Sequence, residues 1–495
     1  MTTKTSKSAL VIMLLTFAGY ALGYFNIFFV LPKYLTEAEI GIYRVLFDVA
    51  YLIYPFLQFG GINIVNKFFF EQKGNDGRLL GFSTFLFFVG LIIFTPIFLL
   101  NSEFILGKLG FIETYYSDYL KWIVLLLVLA IGMANLLGAN LRNHRLVTGF
   151  NLYNSLWLRV AVSLAFTGFG LSFFDFDESI IFVTSLVLLG TIVLWIHSFY
   201  KTRTSSIPVL SVTGIGRTKM LGYGGVMLIG FGSTVFINKI DTLMTSGIIG
   251  LASAGVYSVA MAFSSIIEIP RRSVNQVLIP SISKAFTDND TRKIEEVYKE
   301  SSITLFFMSS FLFLCMYLSI GDLLEFLPNS EMYLSGKWVV IILGAAKVFD
   351  ALWGVNSEIL ILSKYYKYNI VLLVVLLFTT VGLNLIFIND ELLITGTAIA
   401  TAITVLLYNV IRGIILYWKL RVLPFCKSHL WILSTSLVVI ILQVFISDLI
   451  QTGLLRIILN TILAGGMFLV LLVKFELSTS LTNYRAQLLK LFGIN

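Results

Sequence analysis

Two adjacent arginines, Arg271 and Arg272, stand inside a long apolar stretch, with the carboxylate of Glu268 one helical turn before them. Residues three and four apart share one face of a helix, so the spacing predicts that the three side chains meet. One carboxylate cannot neutralise two guanidinium groups, which leaves a positive charge in excess. Because the planar guanidinium fork matches phosphate oxygens, the triad is typical of a site for a phosphate-bearing anion.

Three more bases, Arg159, Lys347 and Arg412, also lie in apolar stretches, where each needs a partner or a water-filled cavity. Arg159 and Lys347 fall about ten residues into their helices, which is roughly 15 Å along the axis and near the middle of a membrane. We predict that all three line a cationic cavity with the two adjacent arginines. The structural alternative is private pairing, because Lys347 and Asp350 are spaced i,i+3 on one helix and can pair.

Three acids are predicted to support this cavity or to couple an ion: Asp48, Glu268 and Asp350. Asp48 is the acid of the first half of the chain that lies deep enough in an apolar stretch to hold a coupling ion, H+ or Na+. Glu358 lies near a helix end, where we expect it to extend to the membrane interface.

These charges stand out because the rest of the 495-residue chain is apolar, with 58% hydrophobic and only 13% charged residues. Soluble domains carry about twice that charged fraction. Windows of about 20 apolar residues, long enough to cross a bilayer, recur along the chain. The sequence therefore predicts an all-α integral membrane protein with about fourteen transmembrane helices, near 8–31, 40–64, 79–100, 118–139, 148–173, 179–200, 219–240, 250–280, 301–320, 337–362, 368–388, 394–418, 429–447 and 453–474.

Most of the 35 basic residues fall in alternate loops and in the two termini. The opposite face is poorer in bases, and Lys239, at the end of the span near 219–240, is among the few that it holds. This asymmetry predicts that both termini are cytoplasmic. The net charge of +8 is therefore a topology signal, and no basic, aromatic-rich soluble face points to a nucleic acid.

A short motif occurs twice and predicts two similar halves. Glu39-Ile40-Gly41-Ile42-Tyr43 is echoed by Gly255-Val256-Tyr257, and each copy opens a long apolar segment. Transporters built from two halves place their site between them and work by alternating access. We predict an N-lobe over 1–206, a C-lobe over 207–422 that begins with a cytoplasmic linker, two further helices over 423–476 and a cytoplasmic tail over 477–495.

Signatures of enzymes and motors are missing from the sequence. The glycines at 222–225 are not followed by Gly-Lys-Ser/Thr, which excludes a Walker A loop. The three histidines have no metal-ligand spacing, and the two cysteines suggest no disulfide framework. We therefore expect a protein that is not an enzyme and that has no metal and no cofactor.

The chain resembles the polysaccharide-transport branch of the multidrug/oligosaccharidyl-lipid/polysaccharide (MOP) exporter superfamily, the Wzx-type oligosaccharide flippases. The resemblance covers about residues 8–474 and rests on the order and spacing of short motifs. These are the segment from Glu39 to Tyr43, Ile240-Asp241, Gly255-Val256-Tyr257 and Ile279-Pro280.

The resemblance implies two six-helix lobes related by a pseudo-two-fold axis, followed by two extra helices. It implies transport of an undecaprenyl-diphosphate-linked oligosaccharide, an O-antigen, capsule or exopolysaccharide repeat unit, from the cytoplasmic to the periplasmic leaflet of the bacterial inner membrane. A polysaccharide polymerase and a chain-length regulator are the implied partners. The first helix departs from two related branches, because it has neither the arginine of lipid II flippases nor the carboxylate of drug exporters, and Asn26 is its strong polar group.

Two alternatives stay open at this point. A MATE-like drug or cation antiporter would share the fold, but an excess of bases over acids inside the membrane favours anionic cargo. A membrane-bound polysaccharide polymerase or ligase would need catalytic carboxylates on a large outer loop, and the loops are short.

Overall fold

The protein, in a computed structural model, consists of long helices, with no strand among the residues described. These are residues 3–69, 71, 76–111, 118–204, 206–209, 216–389, 391–447, 453–475 and 477. The predicted cytoplasmic tail, apart from Leu477, and the linker residues 210–215 lie outside this set. Within these described ranges, twelve helices are long and apolar enough to cross a membrane.

Fourteen long helices follow one another in the described ranges. Four of them, α1, α5, α8 and α10, change helix type along their length. In order they are α1 (3–34), α2 (Glu37–Leu57), α3 (Asp76–Leu100), α4 (Tyr119–Asn143), α5 (147–170), α6 (Phe176–Thr202), α7 (Arg217–Ile248), α8 (251–287), α9 (Thr291–Glu325), α10 (330–352), α11 (Tyr366–Phe387), α12 (Leu393–Leu420), α13 (Lys427–Ser447) and α14 (Leu454–Lys474).

Two of the fourteen long helices, α5 and α13, are not among these twelve spans. A π-helical segment, Leu152–Trp157, divides α5, and α13 contributes a shorter apolar stretch, Lys427–Gln443. The prediction of an all-α membrane protein with about fourteen helices is confirmed. Three short helices, Gly61–Phe68, Ser102–Lys108 and Asn356–Leu362, connect the long ones.

The chain forms two compact units, residues 1–258 and 259–495, and the boundary falls inside α8. In the first unit, Leu137 and Leu141 of α4 pack against Phe150 of α5. In the second unit, α9 packs against α13 and α14 through Leu314, Ile432 and Phe468. The predicted lobe boundaries at 206 and 422 concern an internal duplication, and they stay a prediction.

Helix α8 is built so that Glu268 lies at a break. Its first piece, Leu251–Ser265, is followed by a 3₁₀ turn, Ile266–Glu268, and then by Ile269–Thr287. Pro270 stands in the first turn of the last piece, where its missing N–H costs no helical hydrogen bond. The turn places the acid just ahead of the two arginines.

The glycines of the repeated motif meet at a close helix crossing within the first unit. A Cβ on Gly41 would lie 1.9 Å from the carbonyl oxygen of Leu251, and one on Gly255 would lie 2.1 Å from that of Glu37. Each glycine therefore faces the residue four positions before the other glycine, which makes the contact reciprocal. A two-fold axis through the crossing would produce this arrangement.

We expect Gly41→Val to destabilise the protein by at least about 3 kcal/mol, because the new side chain meets backbone that cannot move aside. The measurement is the midpoint of thermal unfolding of the purified protein in detergent. Gly230→Ala on α7 is the matched control, since a Cβ there meets nothing within 4 Å. That variant should be unchanged or up to about 1 kcal/mol more stable. Equal midpoints for the two variants would contradict the close crossing.

Candidate functional site

One carboxylate and two cations form the exposed part of a charged cluster in the second unit. Glu268 of α8 accepts a hydrogen bond from the Lys347 ammonium of α10 at 2.9 Å, and the Arg272 guanidinium lies 3.7 Å from the same oxygen, Oε2. The side chain of Arg272 is 46% exposed and that of Lys347 is 32% exposed. A single carboxylate oxygen thus serves two cations that an incoming ligand can still reach.

A second, more buried part of the cluster joins α8, α10 and α12. Arg271 forms an ion pair with Asp350, and its side chain is only 12% exposed. The Asn409 amide donates to the other Asp350 oxygen at 2.8 Å. Asp350 is therefore held from two neighbouring helices, and it fixes the buried guanidinium.

The same network continues through neutral amides to Arg412. Asn356 donates to the Asn409 side-chain oxygen at 2.8 Å, and Arg412 donates to the Asn356 side-chain oxygen at 2.9 Å. The Arg412 guanidinium also lies 3.9 Å from the centre of the Tyr408 ring, a cation–π contact. Arg412 is only 3% exposed, so its surroundings are almost entirely protein atoms.

The alternative that Lys347 and Asp350 pair with each other is not what the structure shows. Lys347 pairs with Glu268, and Asp350 pairs with Arg271, so both ion pairs cross between α10 and α8. Residues three apart on a helix differ by about 60° in direction, which lets them reach different partners on a neighbouring helix. The predicted meeting of Glu268 with both arginines occurs only for Arg272, because Arg271 pairs with Asp350 instead.

Glu358 also belongs to this cluster, and the prediction that it extends to the interface is wrong. It accepts a hydrogen bond from the Asn275 amide of α8 at 2.6 Å, and its other oxygen is buried. The short helix Asn356–Leu362 turns it inward. The cluster holds four bases and three acids, so one formal positive charge is in excess. The bases are Arg271, Arg272, Lys347 and Arg412, and the acids are Glu268, Asp350 and Glu358.

Asp48 lies in the first unit, where it forms an ion pair with Lys239 of α7. The Lys239 ammonium also lies 5.1 Å from the centre of the Tyr51 ring. Lys239, which we counted among the bases of the opposite face, lies within α7 and reaches a buried carboxylate. In this structure Asp48 already has a cation as its partner.

Arg159 lies in the first unit beside two irregular helical segments. Its guanidinium donates to the Asn154 carbonyl, inside the π-helical segment of α5. Its own carbonyl accepts a hydrogen bond at 2.8 Å from Asn26, which begins the π-helical segment Asn26–Val30 of α1. Ser163 donates to the Asn26 side-chain oxygen at 2.6 Å. Such π segments occur often at functional sites, and here they hold a half-buried arginine.

The remaining motif residues, Tyr43, Asp241 and Tyr257, are buried. Tyr43 stands edge-on to Phe166, with ring centres 5.2 Å apart. Tyr257 is fully buried, and Asp241 is 7% exposed.

Sequence reasoning missed several members of the cluster, above all the amides Asn275, Asn356 and Asn409. Polar residues in apolar helices were a usable signal for all three. The prediction was based on unpaired charges, however, and it missed these amides because they are neutral.

Known structures share this fold at low sequence identity. The lipid II flippase MurJ in an inward closed conformation matches 94% of this chain and 99% of its own, with a TM-score of 0.71 and 16% identity. An inward-facing multidrug resistance MATE family transporter of the MOP superfamily matches 83% of this chain and 98% of its own, with a TM-score of 0.61 and 13% identity. A MATE protein in the bent conformation matches with a TM-score of 0.53 and 13% identity, over 83% of this chain and 95% of its own.

No curated protein matches the sequence. The profile of a family described as "Polysaccharide biosynthesis protein" matches residues 30–324, more than half of the chain. Together with the shared fold, this match confirms the resemblance drawn from the motifs. The chain belongs to the polysaccharide biosynthesis protein family, and it has the fold of the flippase and transporter structures named above.

Proposed function

We propose that the protein moves an undecaprenyl-diphosphate-linked oligosaccharide from the cytoplasmic to the periplasmic leaflet of the bacterial inner membrane. The family and the fold are those of transporters, which fits a protein that is not an enzyme. The observation that carries the proposal is the sharing of the Glu268 carboxylate by Arg272 and Lys347. Both cations stay partly exposed, and their combined charge exceeds that of their partner.

The diphosphate of the cargo would take the place of Glu268 as the partner of the two cations. A guanidinium fork and an ammonium can together contact several oxygens of a diphosphate. Glu268 would hold the cations when no cargo is bound, because an unpaired charge inside a membrane costs several kcal/mol. In this scheme Arg271 and Arg412 position the cluster, since Asp350 and Asn356 already bind them. Arg159 is a second candidate contact for the anionic cargo in the first unit.

A drug or cation antiporter is supported less well. Such a transporter needs an acid that is free to bind a cation, and Asp48 is paired with Lys239. The cluster in the second unit carries an excess of positive charge, which opposes a cationic cargo. Coupling to H+ or Na+ and association with a polymerase and a chain-length regulator remain part of the proposal.

Complementation separates the two transport functions. In a strain that lacks its own flippase but makes a matching lipid-linked repeat unit, we expect this protein to restore surface glycan. In a drug-sensitised host that lacks its efflux pumps, we expect no gain in resistance. Arg292→Ala is the control for nonspecific effects, because that side chain is 90% exposed on α9, outside the cluster. Drug resistance without restored glycan would contradict the proposal.

A further inference from the structure

A groove with a cavity of about 450 Å³ lies between α5 and α6, within the first unit. Arg145, His197 and Lys201 line it near the start of α5 and the end of α6. Its deeper walls include Trp157 and Gly190. Gly190 lies eleven residues before Lys201, about 16 Å along the helix, so the groove runs from a basic end into an apolar part.

The walls of this groove are fixed by close contacts with two glycines. A Cβ on Gly190 would lie 2.2 Å from the Trp157 ring nitrogen, and one on Gly149 would lie 2.7 Å from the His197 ring. The Trp157 ring nitrogen donates to the Leu186 carbonyl at 2.8 Å, which locks the indole in place. The groove is therefore formed before any ligand arrives, which lowers the cost of binding.

The π-helical segment of α5 shapes the same groove. Leu152–Trp157 winds more widely than an α-helix and turns Leu152, Tyr153 and Trp157 towards α6. Val193 of α6 is 57% exposed, and Leu152 of α5 is 47% exposed. These apolar walls suit a hydrocarbon chain.

The basic end has the opposite chemistry. Arg145 and Lys201 are exposed, and neither forms an ion pair with any acid in the described part of the chain. Both cations are therefore available to an anion. By the charge distribution of the loops, this end of α5 and α6 is the one expected to be cytoplasmic.

We propose that this groove is a binding site for an anionic phospholipid of the adjoining leaflet. The lipid phosphate would contact Arg145, Lys201 and His197, and one acyl chain would lie along Leu152, Trp157 and Val193. Basic pockets between transmembrane helices bind anionic headgroups in this way. An anionic phospholipid is favoured over the rarer polyprenyl-linked cargo, because an abundant membrane lipid occupies even a weak site by mass action.

The test is native mass spectrometry of the intact protein, titrated with phosphatidylglycerol or with phosphatidylcholine. We expect the wild-type protein to retain phosphatidylglycerol in preference to phosphatidylcholine. Arg145→Gln with Lys201→Gln should weaken phosphatidylglycerol binding about 10- to 30-fold. Val193→Asp should weaken it while leaving all three basic residues in place.

Lys364→Gln with Lys367→Gln is the matched control, because it removes two exposed charges from the same predicted side of the membrane but outside the groove. It should bind phosphatidylglycerol like the wild type. Equal loss in the control, or equal retention of both lipids by the wild type, would overturn the site. Displacement of phosphatidylglycerol by millimolar inorganic phosphate would also overturn it, because the groove would then be a site for the free ion.

Discussion

Arg272→Ala combined with Lys347→Ala is expected to abolish glycan export while the protein still inserts into the membrane. The double variant leaves Glu268 without its two cationic partners and reverses the charge of the exposed part of the cluster. Loss of two charge-assisted contacts to a diphosphate, each worth about 1.5–3 kcal/mol, would reduce transport by two or more orders of magnitude. The measurement is surface glycan in the complemented flippase-null strain, with membrane protein quantified by immunoblot.

The single variants test whether charge or geometry matters at these positions. Arg272→Lys keeps the charge and loses the fork, so we expect reduced but measurable export. Lys347→Arg keeps the charge and should also export. Normal export by the double alanine variant would show that the two cations are structural and would refute the proposed diphosphate contact.

Asp350→Ala is expected to act on stability first. Removal of this acid leaves Arg271 buried without its ionic partner, and breaking such a pair costs about 3–5 kcal/mol. Arg271→Met combined with Asp350→Leu should cost much less, because it replaces the pair with apolar groups of similar size. The midpoint of thermal unfolding in detergent and the amount of protein in the membrane measure both effects.

Arg272→Ala alone provides the contrast for this prediction. Arg272 is about half exposed and lies 3.7 Å from its partner, so its loss should change stability by no more than about 1 kcal/mol. Arg271 and Arg272 would then differ in kind, although they are neighbours in sequence. If Asp350→Ala and the Arg271→Met/Asp350→Leu double variant destabilised the protein equally, Arg271 and Asp350 would not form a buried ion pair.

The sequence predicted the helices well because the hydrocarbon core demands long apolar segments. It also predicted that Glu268 and Arg272 meet, since an i,i+4 spacing within one helix fixes their relative direction. Both facts depend on local geometry alone. The reciprocal contact of Gly41 with the helix that carries Gly255 was not predicted, although the repeated motif had marked both glycines.

Contacts between helices were predicted poorly, and the reason is physical. Spacing shows that Lys347 and Asp350 share a helix, but it does not show which neighbouring helix offers a better partner. Lys239 lies within the span predicted near 219–240, but the span does not show that its ammonium pairs with Asp48 on another helix. The π-helical segments beside Arg159 leave no composition signal, and the Asn26–Arg159 hydrogen bond between α1 and α5 was not predicted either.

Flipping by the purified protein in proteoliposomes measures the proposed transport itself. A fluorescent undecaprenyl-diphosphate oligosaccharide is placed in both leaflets, and an impermeant quencher reports the share that becomes accessible over time. We expect the wild-type protein to make the inner-leaflet pool accessible and the Arg272→Ala/Lys347→Ala variant to leave it protected, as in protein-free vesicles. Equal rates for the wild type and this variant would show that Arg272 and Lys347 do not contact the diphosphate during transport.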